Sequence, residues 1–174
     1  MKRYLFCLSF LLVSLWMAAQ SRDNIMDVKG SVGEYVYQNV GSLDKDEIMY
    51  QVVSVRDIRS GMTDYYMRYR YVAPLEKNLC IGIYTEEDLE NVLLLLRHAK
   101  DNIIGVEHEH TPQLIYVTEN NQSASVYKGA REWKVSFMTD HTHRDTQIDI
   151  SGKRIQELIQ FMEKALDIID RLKR

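Results

Sequence analysis

Apolar and polar residues alternate with a period of two from Ile48 to Tyr84, then repeat with the period of a helix from Thr85, and the same change recurs in the second half. In the first half, Ile48 to Ile58 reads as a strand closed by the turn Arg59-Ser60-Gly61-Met62. Thr63 to Val72 follows, with Tyr65, Met67, Tyr69 and Tyr71 on one face and Tyr66, Arg68 and Arg70 on the other. Beyond Pro74, Asn78 to Tyr84 supplies a third strand, and Glu34 to Val40, ahead of a Gly-Ser-Leu-Asp turn, a fourth. Thr85 and Asp88 have the spacing of an N-terminal capping box, and Leu89, Val92, Leu93 and Leu96 set an apolar stripe on a helix expected to end near Asp101 and to lie on the sheet.

The second half predicts strands at Gln113 to Thr118, Ser123 to Tyr127, Glu132 to Met138 and Thr146 to Ile150. Ser151 is the expected cap of a last helix bearing Ile155, Leu158, Ile159, Met162, Leu166, Ile169 and Leu172. Both strand-to-helix junctions look alike: Ile81-Gly82-Ile83-Tyr84 leads to Leu89-Glu90-Asn91-Val92-Leu93, as Ile148-Asp149-Ile150-Ser151 leads to Ile155-Gln156-Glu157-Leu158-Ile159. The expected fold is α+β, with two β4α repeats at about 34–101 and 113–174, each an antiparallel sheet followed by a packing helix.

Such a tandem β4α chain resembles the Whirly family of single-stranded-DNA-binding domains. The resemblance lies in element order from Glu34 to Arg174 and implies two sheets, each packed by a helix, forming a pseudo-dimer. It carries over no binding residue, because fold likeness alone does not transfer a function.

Residues 1–20 have a different build: Lys2 and Arg3, then an uncharged apolar run from Leu5 to Trp16, then Met17-Ala18-Ala19. This is the make-up of a secretory signal peptide, with cleavage expected near Ala19-Gln20. The apolar run is shorter than the roughly 20 residues that cross a bilayer, so residues 21–174 are expected as one domain with no membrane span, in the periplasm or the medium. Removing Lys2 and Arg3 lowers Lys plus Arg from 22 to 20 against 25 Asp plus Glu, a net charge of −5. That balance disfavours nucleic acid and anionic membranes as main partners. Only Cys80 lies beyond the signal, in the apolar run Leu79 to Ile83, and reads as a small buried hydrophobe with no disulfide partner.

Two constellations are candidate sites. The first is the strand face Tyr66, Arg68 and Arg70, with Arg56 or Arg59 expected across the hairpin. Aromatic rings interleaved with guanidinium groups can stack planar groups and hold anions. The second is a pair of His-x-His steps, His108-Glu109-His110 and His141-Thr142-His143, holding four of the five histidines. In extended backbone, residues i and i+2 point the same way, so each step offers two imidazoles to one zinc or copper ion. Asn121-Gln122-Ser123 fits a glycosylation acceptor pattern and reads here as a turn.

No nucleophile elbow, Cys-His pair or cofactor motif is present, so no catalytic residue is assigned. The consecutive Leu93 to Leu96 make the first helix apolar around more than one face. The two helices are therefore expected to pack on each other within the chain or, alternatively, to pair two copies as a homodimer. The expected function is that of an exported, non-enzymatic binding protein with an unknown protein or small-molecule ligand. The alternatives are a metal-binding protein using the His-x-His loops and, third, a single-stranded nucleic acid or polyanion binder using the Tyr/Arg strand.

Overall fold

The computed structural model describes residues 32–43, 47–75 and 77–174. The signal peptide expected at 1–20 lies outside the described residues. Four strands, β1 (Gly33–Leu43), β2 (Ile48–Asp57), β3 (Thr63–Val72) and β4 (Leu79–Tyr84), precede helix α1 (Glu86–Asn102). Four more, β5 (Leu114–Val117), β6 (Ser123–Lys128), β7 (Trp133–Met138) and β8 (Gln147–Ser151), precede helix α2 (Ile155–Lys173). Each set forms an antiparallel sheet in sequence order, β1-β2-β3-β4 in sheet A and β5-β6-β7-β8 in sheet B. The chain therefore consists of two β4α units.

β1 continues through Gly41, Ser42 and Leu43, where a turn was expected. The register slips between Asn39 and Gly41, and this bulge bends the strand so that Leu43 still pairs with Ile48. Gly41 is required there, because a Cβ would lie 2.4 Å from the Phe161 ring of α2. Helix α1 begins as expected: Thr85 Oγ1 accepts from Asp88 N at 3.1 Å and Asp88 Oδ2 accepts from Thr85 N at 3.0 Å, a closed capping box. Ser151 does not cap α2. Its hydroxyl donates to Glu132 Oε2 at 2.8 Å, and one 3-10 turn, Gly152–Arg154, separates β8 from the helix.

The helices are exchanged between the units. α2 of the second unit packs on β1, β2 and β3 of sheet A, while α1 of the first unit reaches β5 and β6 of sheet B as well as its own β3 and β4. The two helices pack on each other within the chain, and Arg97 of α1 pairs with Glu163 of α2 at 2.8 Å. This accounts for the leucine run: Leu93, Leu95 and Leu96 are buried, and Leu94 alone faces solvent. One core results, in which Tyr69 of sheet A lies 5.5 Å from Phe137 of sheet B and 5.0 Å from Tyr84. Gly82 makes room for it, since a Cβ there would sit 2.0 Å from the Tyr69 ring. Tyr65, Tyr69 and Tyr71 thus face inward, and burial pushes the Tyr69 and Tyr71 phenols well above the ordinary value.

The second unit also covers the edge of the first. Gln122, in the β5–β6 turn, accepts the Ile83 N–H of edge strand β4 through its Oε1 at 2.8 Å, in a buried position. Cys80 is buried and free, as its sequence setting implies. Among the described residues, no helix is long and apolar enough to cross a membrane.

Candidate functional site

Helix exchange brings the start of β3, the N-terminus of α1, the β5–β6 turn and the end of α2 around one cleft of ≈ 630 Å³. That volume lies within the range typical of small-molecule sites. The cleft is framed by rigid contacts. Tyr116 of β5 donates to Asp88 Oδ1 at 2.7 Å, tying the α1 capping box to sheet B, and Tyr65 donates to the Leu172 carbonyl at 3.0 Å, tying β3 to α2. Lys173 closes one side by pairing with Glu86, which raises its affinity for the proton. The remaining wall is acidic: Asp64, Glu87 and Glu119 are exposed, and none of them pairs with a described cation.

Tyrosines supply the apolar surface. Burial first, then its bond to the Asp88 carboxylate, pushes the Tyr116 phenol up to about 12, and burial together with Asp64 raises that of Tyr66. Both rings therefore stay neutral at physiological pH. An acidic rim over tyrosine rings attracts a cation with an apolar body by Coulomb and cation–π forces. Among the described residues no group of three or more His, Cys, Asp or Glu is placed to hold a metal ion.

The Tyr/Arg strand is divided by the register. Tyr66, Arg68 and Arg70 share the outer face of β3, opposite Val53, Gln51 and Met49 of β2. Arg56 is opposite Thr63 and Glu34, on the alternate parity, so it belongs to the other face; it pairs with Glu34 at 3.9 Å. Arg68 lies over the Tyr37 ring at 4.8 Å, and Arg70 points its Nη2 at Met49 Sδ at 2.8 Å. Tyr66 packs on Val53, Val55 and Ile83 where this face meets the cleft.

The two His-x-His steps lie at opposite ends of sheet B. His108 borders a small hollow beside Lys128 and Trp133, at the β6–β7 turn, and its Nε2 is 3.2 Å from the Ile103 carbonyl. His141 and His143 lie in the β7–β8 loop, with Nδ1 atoms 3.3 Å from Ser123 Oγ and 2.8 Å from Asp140 Oδ2 respectively. The length of β6 separates the two loops by roughly 16 Å. Buried Asp140 organises its loop, accepting from Asn121 Nδ2 at 2.8 Å and from Thr142 N at 3.0 Å. The four histidines thus do not form one site: His108, His141 and His143 meet unrelated partners, and His110 is exposed.

The cleft itself escaped sequence reasoning. Its residues lie in four separate segments, of which the candidate Tyr66 and the Thr85–Asp88 spacing were the parts signalled by the sequence. Comparison with protein-family models and with curated protein sequences finds no match to this chain.

Proposed function

We propose that the protein is an exported, non-enzymatic binding protein whose cleft takes a small organic cation with an apolar or aromatic body. The observation that carries this reading is a ≈ 630 Å³ cleft whose walls combine tyrosine rings with three exposed carboxylates that pair with no described cation. A ligand amine replaces the missing counter-charge, and the rings bury its body. Export rests on the three-part build of residues 1–20.

Tyramine and its neutral analogue 4-ethylphenol separate charge recognition from apolar burial. At ten times its dissociation constant a ligand stabilises by about 1.4 kcal/mol, which raises the melting temperature by roughly 3–5 °C in a domain of this size. Tyramine is expected to give that rise, and 4-ethylphenol and the Asp64→Asn/Glu119→Gln variant much less. Equal effects of the two compounds would refute charge recognition. Expression in a Gram-negative host followed by N-terminal sequencing tests export: the expected mature chain starts near Ser21, and an intact Met1 in the cytoplasm would refute it.

A further inference from the structure

The outer face of sheet A carries chemistry that the cleft does not use, and we propose that it docks an extended, acidic and apolar-bearing segment of a partner protein. Arg68 and Arg70 are two residues apart on β3, so their side chains leave the sheet on the same side from Cα positions about 7 Å apart. Both are already positioned, Arg68 by the Tyr37 ring at 4.8 Å and Arg70 by the Met49 thioether at 3.2 and 2.8 Å. Neither pairs with a described carboxylate, whereas Arg56, Arg97, Arg154 and Arg171 each do. A thioether is a weak acceptor, so the forks of Arg68 and Arg70 remain available for carboxylates.

Beside the arginines lies an apolar shelf. Val72, Leu79 and Ile81 are 51%, 62% and 42% exposed, and the register places Ile81 directly opposite Arg70. An extended polypeptide alternates its side chains as the strand beneath it does, so carboxylates on one side of it reach the two arginines while neighbouring apolar side chains cover the shelf. Charge decides among occupants. A second copy docked face to face about a two-fold axis sets arginine against arginine. A single nucleic acid strand offers anions at similar spacing but needs open aromatic faces for its bases. Here Arg68 covers one face of the Tyr37 ring and Tyr66 is packed on Val53, Val55 and Ile83, while Tyr35 and Tyr37 stay 38% and 46% exposed, so the apolar shelf is what favours a polypeptide and the oligonucleotide is the competitor to be tested.

The test uses the mature protein, a random glutamate-tyrosine copolymer and a twenty-residue thymidine oligonucleotide, with binding followed by fluorescence anisotropy. The copolymer is expected to bind at least about tenfold more tightly than the oligonucleotide. Replacing both arginines (Arg68→Gln/Arg70→Gln) is expected to weaken it by about tenfold or more, the loss of a single charge-assisted contact being of that order. Arg131→Gln, in the β6–β7 turn, is expected to leave it unchanged. Ile81→Glu keeps both arginines and tests the shelf separately; it is expected to weaken the copolymer several-fold, with a native circular dichroism spectrum confirming the fold. Oligonucleotide binding as tight as the copolymer's would identify a general polyanion surface and overturn the proposal. So would an absence of copolymer binding, or copolymer binding that neither variant alters.

Discussion

The outer faces of the two sheets differ far more than their scaffolds do. On sheet B the centre of the face is serine-rich, with Ser123, Ser125 and Ser136 buried between longer side chains and Ile115 and Val117 exposed along the β5 edge, and Tyr127 donates to Asp149 Oδ2 at 2.7 Å. Gln147 Nε2 completes that network, donating to the Tyr127 hydroxyl at 3.2 Å and to Asp149 Oδ1 at 2.7 Å. On sheet A the equivalent face holds valines, two isoleucines, aromatic rings and two arginines that pair with no described carboxylate. The β4α plan sets strand order and one inward face per sheet but leaves each outer face free. Sheet B ties Tyr127, Gln147 and Asp149 to one another, whereas the outer arginines of sheet A meet a tyrosine ring and a thioether.

The difference is sharpest at equivalent central positions. Val53 of β2 is fully buried on the outer face of sheet A, so Val53→Ser is expected to cost about 3 kcal/mol in urea unfolding, from lost burial and an unpaired hydroxyl. Ser125→Ala, at the matching place in β6, is expected to change stability by less than about 1 kcal/mol. Equal costs would show that the two faces do not differ as described. Next in size is the contact between units: Gln122→Ala strands the buried Ile83 N–H and is expected to cost about 2 kcal/mol, with faster amide exchange confined to β4. Tyr127→Phe removes the hub of the sheet B network and is expected to cost about 1 kcal/mol.

Alkaline pH gives the smallest and broadest effect. Burial, and then its bond to Asp149, pushes the Tyr127 phenol up to about 12 in the folded state, against 10.0 ordinarily. Its contribution is therefore fully present below pH 10 and is lost as the pH rises through about 12. Tyr116 behaves alike, its phenol also being raised to about 12. Unfolding free energy is expected to stay level from pH 8 to near 10 and to decline above it, less steeply in Tyr127→Phe. A decline that begins below pH 9 would contradict this account.

Much of the fold was legible because its periods are clean. The eight strands and two helices follow from alternation, helical stripes and the Thr85–Asp88 box. Four things were not legible, each for a physical reason. Val52 and Val53 are both fully buried, so alternation in β2 does not reveal which face Arg56 joins; only the register does. A helical stripe shows that a face is buried but not against which sheet, so the exchange of α1 and α2 was hidden. The cleft was hidden with it, because exchange is what sets Lys173 and Glu119 beside Asp64. At 41–43, Gly41 answers the close approach of Phe161 rather than a turn, a contact 120 residues distant in sequence.

The central claim is that the cleft binds an organic cation, and an amide chemical-shift titration of the mature protein with tyramine tests it most directly. The account predicts saturable shifts confined to Thr63–Tyr66, Thr85–Asp88 and Tyr116–Asn120, absent with 4-ethylphenol and lost in Asp64→Asn/Glu119→Gln. Shifts spread over other surfaces, shifts equal for the neutral analogue, or no shifts at millimolar tyramine would contradict it.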